Sequence, residues 1–282
     1  MMTRSLAENY LYSMVYKANI RGARNQWTEI VEKIESGVMP AEPALRWLMT
    51  QLLNQADAFK SLSIQTLASL EEYFEALQAI SHADVEKLIL RHITESDYAA
   101  RLMEIAMHSL MQAMTEGRVF GDAELKPLSQ MRSANKKHGN VGDIELLEQG
   151  QIVEAWDAKY GKSYLRDEIE ELADKMEQHS GLVTVGFVTS IKPERLDELV
   201  PRLHDIEELF GVRPEIMTIT TWIARQFARS IRDGLMAETE LARGWLRAYT
   251  ESLARLRPEL APIDEPCYQW LEALKAILIS ER

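Results

Sequence analysis

Two short runs, VGDIELL and QIVEAWDAKY, interrupt a sequence whose apolar residues otherwise recur mostly at spacings of three and four. Joined by the hairpin-sized segment around Glu148-Gln149-Gly150, they read as a pair of β-strands in a largely helical chain. Side chains alternate across a strand, so Asp157 and Lys159 share one face with Val153 and Ala155. If the runs pair, Asp143 from the first meets Asp157 and Lys159 from the second. Two carboxylates and an ammonium then converge.

The text around this hairpin sets the fold class. Leu6 to Tyr16, Gln26 to Ile34, Pro43 to Leu53 and Leu62 to Ile80 carry helical periodicity, punctuated by Gly22, Gly37 and Pro40. Ser81-His82-Ala83-Asp84 opens a helix through Ile93, and Thr94 or Ser96 caps another from Asp97 to Thr115. Residues 118 to 142 read as a long irregular loop with a short strand near Val119. After the hairpin come a helix from Tyr164 to His179, a buried strand in LVTVGFVTS, a helix from Pro193 to Phe210 and a strand in EIMTITTW. Helices from Ile223 to Leu256 and Pro266 to Ile279 complete the chain, split by Pro258 and Pro262. This alternation predicts an α/β (α+β mixed) protein, a mixed sheet with helices on both faces. Three regions are expected: an N-terminal helical lobe over 1–96, a core over 97–222, and a C-terminal helical region over 223–282 packing on that core.

Composition narrows the function. With 46% hydrophobic and 27% charged residues the 282-residue chain has the make-up of a globular protein with ample core. Its one cysteine, Cys267, excludes an internal disulfide and a Cys-rich zinc site, and the six histidines show no zinc-ligand spacing. There is no glycine-rich phosphate loop and no Gly-x-Ser-x-Gly elbow. No apolar run is long enough to cross a bilayer, and MMTRSLAENY lacks the apolar core of a signal peptide, so a cytoplasmic location is expected. The net charge of −12 argues against general coating of nucleic acid, so any phosphate binding must come from a local basic cluster. One precedes the hairpin: Arg132, Lys136, Lys137 and His138, beside Ser133, Asn135 and Asn140. Lys162, Tyr164 and Arg166 follow it. Arg225, Arg229 and Arg232 share a helical face; their alternative is a solvated helix surface.

The order helix, hairpin, helix, strand, with Asp143 in Val141-Gly142-Asp143-Ile144-Glu145 and then Asp157-Ala158-Lys159, resembles the PD-(D/E)xK nuclease superfamily, the restriction-endonuclease-like fold. The resemblance spans residues 97 to 222 and places Gly142 where the family name has proline. It implies a restriction-endonuclease-like mixed sheet flanked by helices, with the N-terminal lobe and C-terminal helices added to it. It also implies a Mg²⁺-dependent endonuclease acting on double-stranded DNA, and the chain looks most like a type II restriction endonuclease, acting as a homodimer. Under that resemblance Asp143 and Asp157 bind Mg²⁺, with the backbone carbonyl of Ala158 and the helix residue Glu104 completing the set. Lys159 orients or helps deprotonate the attacking water. Arg132, Ser133, Asn135, Lys136, Lys137, His138, Lys162, Tyr164 and Arg166 are the expected DNA contacts.

Glu145 lies on the Asp143 face as an alternative ligand, whereas Glu154 points the other way. Glu104 has a competing assignment, an exposed carboxylate paired with His108 one turn on. Two other assignments stand beside the restriction enzyme: a repair, phage or other defence nuclease of the same fold, and a non-enzymatic helical binding protein whose aspartates are surface residues.

Overall fold

The computed structural model describes residues 24–77, 79–128, 140–179, 181–232, 234–259 and 265–282. The predicted helix Leu6 to Tyr16 and the basic-loop residues Arg132, Ser133, Asn135, Lys136, Lys137 and His138 lie outside the described residues. The chain forms two compact units, residues 1–61 and 62–282. Among the described residues no helix is long and apolar enough to cross a membrane.

In the first unit, helix α1 (Arg24–Glu35) ends in a turn at Gly37, and α2 (Ala41–Ala76) begins. Pro43 falls in the first turn of α2, where a missing N–H costs no hydrogen bond. The gap expected between Leu53 and Leu62 does not exist: residues 54–61 contain neither glycine nor proline, so the helix runs on for 36 residues.

The second unit opens with α3 (His82–Glu95), which starts at the expected capping box. The Asp84 carboxylate accepts from the Ser81 N–H at 3.0 Å, and Ser81 Oγ accepts from the Asp84 N–H at 3.3 Å. Helix α4 (Ala99–Glu116) is preceded by Tyr98 in a left-handed conformation (φ 60°), in place of a cap by Thr94 or Ser96; Ser96 instead closes α3. Among the described residues five strands follow: β1 (Glu124–Leu125), β2 (Ile144–Glu148), β3 (Gln151–Lys159), β4 (Thr184–Thr189) and β5 (Glu215–Thr218). They lie in sequence order, β1–β2 and β2–β3 antiparallel, β3–β4 and β4–β5 parallel. The strand expected near Val119 is displaced to β1, since the Val119 N–H is still bonded to Met114 O at the end of α4.

The expected mixed sheet with helices on both faces is present among the described residues. Gln149 and Gly150 turn the β2–β3 hairpin, both at positive φ, which matches the strand twist. One sheet face carries Ala155, Val185 and Phe187 and is covered by α5 (Arg166–Met176) and α6 (Leu196–Phe210) through Ile169, Leu172, Leu199, Leu203 and Ile206. On the other, Trp156 meets Trp222 of α7 (Ile219–Arg232) edge-on at 6.2 Å, a geometry worth about 1 kcal/mol beyond burial.

Two predicted strand features change. The pairing shifts between Leu146 and Leu147, opposite Ile152 and Glu154, so Val153 is the extra residue of a bulge and Ile152 takes the core side with Ala155. EIMTITTW is strand only to Thr218. Its hydroxyl accepts from the Thr221 N–H at 3.3 Å and starts α7, because Trp222, Ile223 and Phe227 reach the core at helical spacing.

Helices α8 (Glu238–Glu259) and α9 (Cys267–Ser280) close the unit, the break before α8 falling at Gly234. His92 ties three helices together, its Nδ1 2.8 Å from Tyr249 Oη and its Nε2 2.8 Å from Trp270 O. Burial lowers its pKa to about 4, so it packs as a neutral ring.

Candidate active site

The hairpin places its acidic residues by register. Ile144 pairs with Trp156, which sets Asp143, one residue earlier, across from Asp157. The Asp143 N–H donates to Trp156 O at 2.9 Å, and its carboxylate Oδ2 accepts from the Ala158 N–H at 3.0 Å. Asp143 thus continues the ladder past the end of β2 with its side chain. A residue's N–H and C=O leave a strand on the same side, so the Ala158 carbonyl faces the Asp143 side of β3 as well. Gly142 permits the approach, because a Cβ there would lie 2.6 Å from Trp156 O. That contact gives a local reason for glycine at this position.

Asp157 is 7% exposed and its Oδ2 lies 2.7 Å from Lys159 Nζ. Its other oxygen, Oδ1, is buried with no hydrogen-bond partner. Burial and the neighbouring Asp143 carboxylate push the Asp157 carboxyl up to about 7, and Lys159 offsets this only in part. Burial acts to lower the pKa of the Lys159 ammonium, but Asp157, Asp143 and Glu168 outweigh it, and the net direction is up.

Glu104 comes to the same place from α4. Together with Tyr98, Ala100, Arg101, Asp143 and Ala158 it lines an open cleft of about 260 Å³. Its partner is Arg101 Nη1 at 2.6 Å, not His108, which instead meets Lys126 O at 3.0 Å and is buried. Burial raises the Glu104 carboxyl; Arg101 opposes this, while Asp157 and Glu265 add to it. Arg101 is itself buried, with Glu265 at 3.7 Å from its Nε.

The structure therefore brings Asp157 and Lys159 beside Asp143 on the hairpin, and Glu104 to the cleft that Asp143 and Ala158 line, although Asp157 and Lys159 are not themselves among the cleft's lining residues. Among the described residues no three His, Cys, Asp or Glu side chains form a ready metal cage. Two carboxylates and a main-chain carbonyl nonetheless make an oxygen donor set of the kind Mg²⁺ takes. Asp157 fits such a group for a further reason: its buried oxygen has no donor, and the negative charge beside it acts more strongly than the ammonium.

The remaining residues sort differently. Glu145 is fully engaged, Oε1 accepting from the Val141 and Gly142 N–H groups at 2.5 and 3.2 Å and Oε2 from Lys126 Nζ at 2.6 Å. It clamps the turn that presents Asp143. Glu154, on the opposite face, accepts from Trp156 Nε1 at 2.7 Å and Arg229 Nη1 at 2.8 Å. Arg229 is thereby paired with the sheet while staying 42% exposed, and Arg225 pairs with Glu215 over the Trp156 ring. Lys162 is exposed and paired with Glu168; Tyr164 is half-buried with Arg195 over its ring at 4.8 Å; Arg166 is exposed at the start of α5. None of these three lines the cleft. Sequence reasoning missed Arg101 and Tyr98 as cleft residues. The spacing of Arg101 three before Glu104 was a readable signal for the first, and nothing local marked the second. In comparisons with known proteins, no family model matches the chain, and no curated protein matches it.

Proposed function

We propose that the chain is a Mg²⁺-dependent DNA endonuclease of the PD-(D/E)xK type, with the restriction-endonuclease-like arrangement of hairpin, helix and parallel strand as its core. The observation that carries this reading is the donor-free buried oxygen of Asp157, set against Asp143 and beside Lys159.

Asp143, Asp157 and the Ala158 carbonyl would hold the cation, which supplies positive charge at the scissile phosphate and acidifies a bound water. Glu104 closes the cleft from α4 and is held in place by Arg101. Lys159 orients the attacking water and stabilises charge developing on the phosphate. Glu145 acts through Asp143 by fixing the turn ahead of it, which makes it a positioning residue. A type II restriction enzyme is the narrower form of the proposal, with double-stranded DNA as substrate, a symmetric pair of sites to cut both strands, and a cytoplasmic setting.

Incubation with plasmid or phage DNA and Mg²⁺ tests the reading. Metal-dependent cleavage by the wild type, lost in Asp157→Ala and in Lys159→Ala, is the expected result. Absence of cleavage across varied DNA substrates would sink it. Discrete fragments identify a sequence-specific enzyme, and a smear identifies a nonspecific one.

A further inference from the structure

The turn that delivers Asp143 is tied down at four successive residues. Asn140 accepts through Oδ1 from Lys126 Nζ at 2.8 Å, the Val141 and Gly142 N–H groups donate to Glu145 Oε1, and the Asp143 N–H donates to Trp156 O. The first three of these ties run through Lys126 and Glu145. The Glu145 side chain is only 1% exposed, and among the described residues Lys126 is its ion-pair partner, Nζ to Oε2 at 2.6 Å. A carboxylate so deeply buried depends on its cation, because an uncompensated charge there is costly.

The main chain of Lys126 carries the other half of the arrangement. Its N–H donates to Glu145 O at 2.9 Å, which joins the end of β1 to β2. Its C=O lies 3.0 Å from His108 Nε2, and since a carbonyl only accepts, that nitrogen is the donor. His108 is buried and stands on α4 one turn after Glu104. The helix that carries Glu104 and the turn that carries Asp143 therefore meet at one residue, and both acids line the cleft.

We propose that Lys126 is a positioning residue of the candidate site, which fixes the Asp143 turn against the Glu104 helix without touching substrate or metal. What the site does rests on the nuclease reading; where Asp143 sits does not.

Amide hydrogen exchange without metal or DNA tests the placement, so its outcome is separate from that of the nuclease assay. The reporter is the Ala158 N–H, whose acceptor is Asp143 Oδ2 at 3.0 Å. In Lys126→Met this amide and that of Asp143 are expected to exchange about tenfold or more faster than in the wild type, while the slow amides of α5 and α6 keep their rates. Lys126→Arg keeps the cation and is expected to recover most of that protection. In a Glu145→Gln background, Lys126→Met is expected to change the rate little, since the cation then has no carboxylate to place. With Mg²⁺ and DNA, Lys126→Met is expected to raise the Mg²⁺ concentration for half-maximal cleavage about tenfold or more. Unchanged exchange at Ala158 in Lys126→Met overturns the proposal. So does an acceleration shared by every slow amide, which marks a loss of overall stability, or a full effect of the substitution in the Glu145→Gln background. Faster exchange at Ala158 with no cleavage by the wild type overturns the nuclease reading and leaves the placement standing.

Discussion

On one face of β3, the Glu154 carboxylate has a donor for each oxygen, Trp156 Nε1 for one and Arg229 for the other. On the opposite face, three residues along, Asp157 has Lys159 for one oxygen and nothing for the second, with another carboxylate at its side. Both groups are buried and both have a cation in reach. A buried carboxylate whose oxygens are all matched holds the fold in register; one left short of donors is a standing cost unless something else completes it. Two buried carboxylates on a single strand thus differ in how far the protein satisfies them, although composition alone makes them look alike.

The largest expected effect breaks the comparison at its functional end. Asp157→Ala and Lys159→Ala each lower Mg²⁺-dependent cleavage by about 10³-fold or more, measured as plasmid nicking. Glu154→Gln, measured per folded molecule, stays within about threefold of wild type. Equal losses in all three would erase the distinction. Gly142→Ala comes next, because its Cβ has backbone, not a flexible side chain, 2.6 Å away. A stability loss of about 3 kcal/mol in urea is expected, together with lost cleavage as Asp143 leaves its position.

Glu154→Ala should cost about 2 kcal/mol in the same titration. It leaves the buried Trp156 N–H without its acceptor, but Arg229 remains 42% exposed and is rehydrated. The smallest effect has the opposite sign. The folded Asp157 carboxyl sits at about 7 against 3.8 for the ordinary group, so the folded state binds the extra proton between those values. Its ionisation therefore penalises folding fully above about pH 7, and the penalty is gone near pH 4. Without divalent cations, Asp157→Asn should raise stability by about 1 kcal/mol at pH 8, and that advantage should shrink as the pH falls. An advantage that grows on acidification would reverse the assignment.

How much of this was legible depends on how far each partner lies along the chain. The convergence of Asp143, Asp157 and Lys159 follows from strand alternation across a two-residue turn, which is local pattern. Opposite faces for Glu154 and Asp157 were legible for the same reason. What each face meant was not, since Arg229 lies 75 residues from Glu154. Glu145 read as a spare ligand because its partners include Lys126, which enters from β1's end of the sheet. The bulge at Val153 escaped because apolar residues at 152 and 153 fit either face equally. The switch from strand to helix at Thr218 was hidden by β-branched residues on both sides of it. Tertiary packing of Trp222 and Phe227 decided that boundary, where β-propensity pointed to strand.

In the proposed reading a cation completes Asp157, whereas the protein itself completes Glu154. Thermal unfolding with and without Mg²⁺ tests it most directly, on the wild type, Glu154→Gln and Asp157→Asn. A ligand that binds the folded state raises its melting temperature. A Mg²⁺-dependent rise is expected in the wild type and in Glu154→Gln, and none in Asp157→Asn. An equal rise in all three proteins, or none in the wild type, contradicts it.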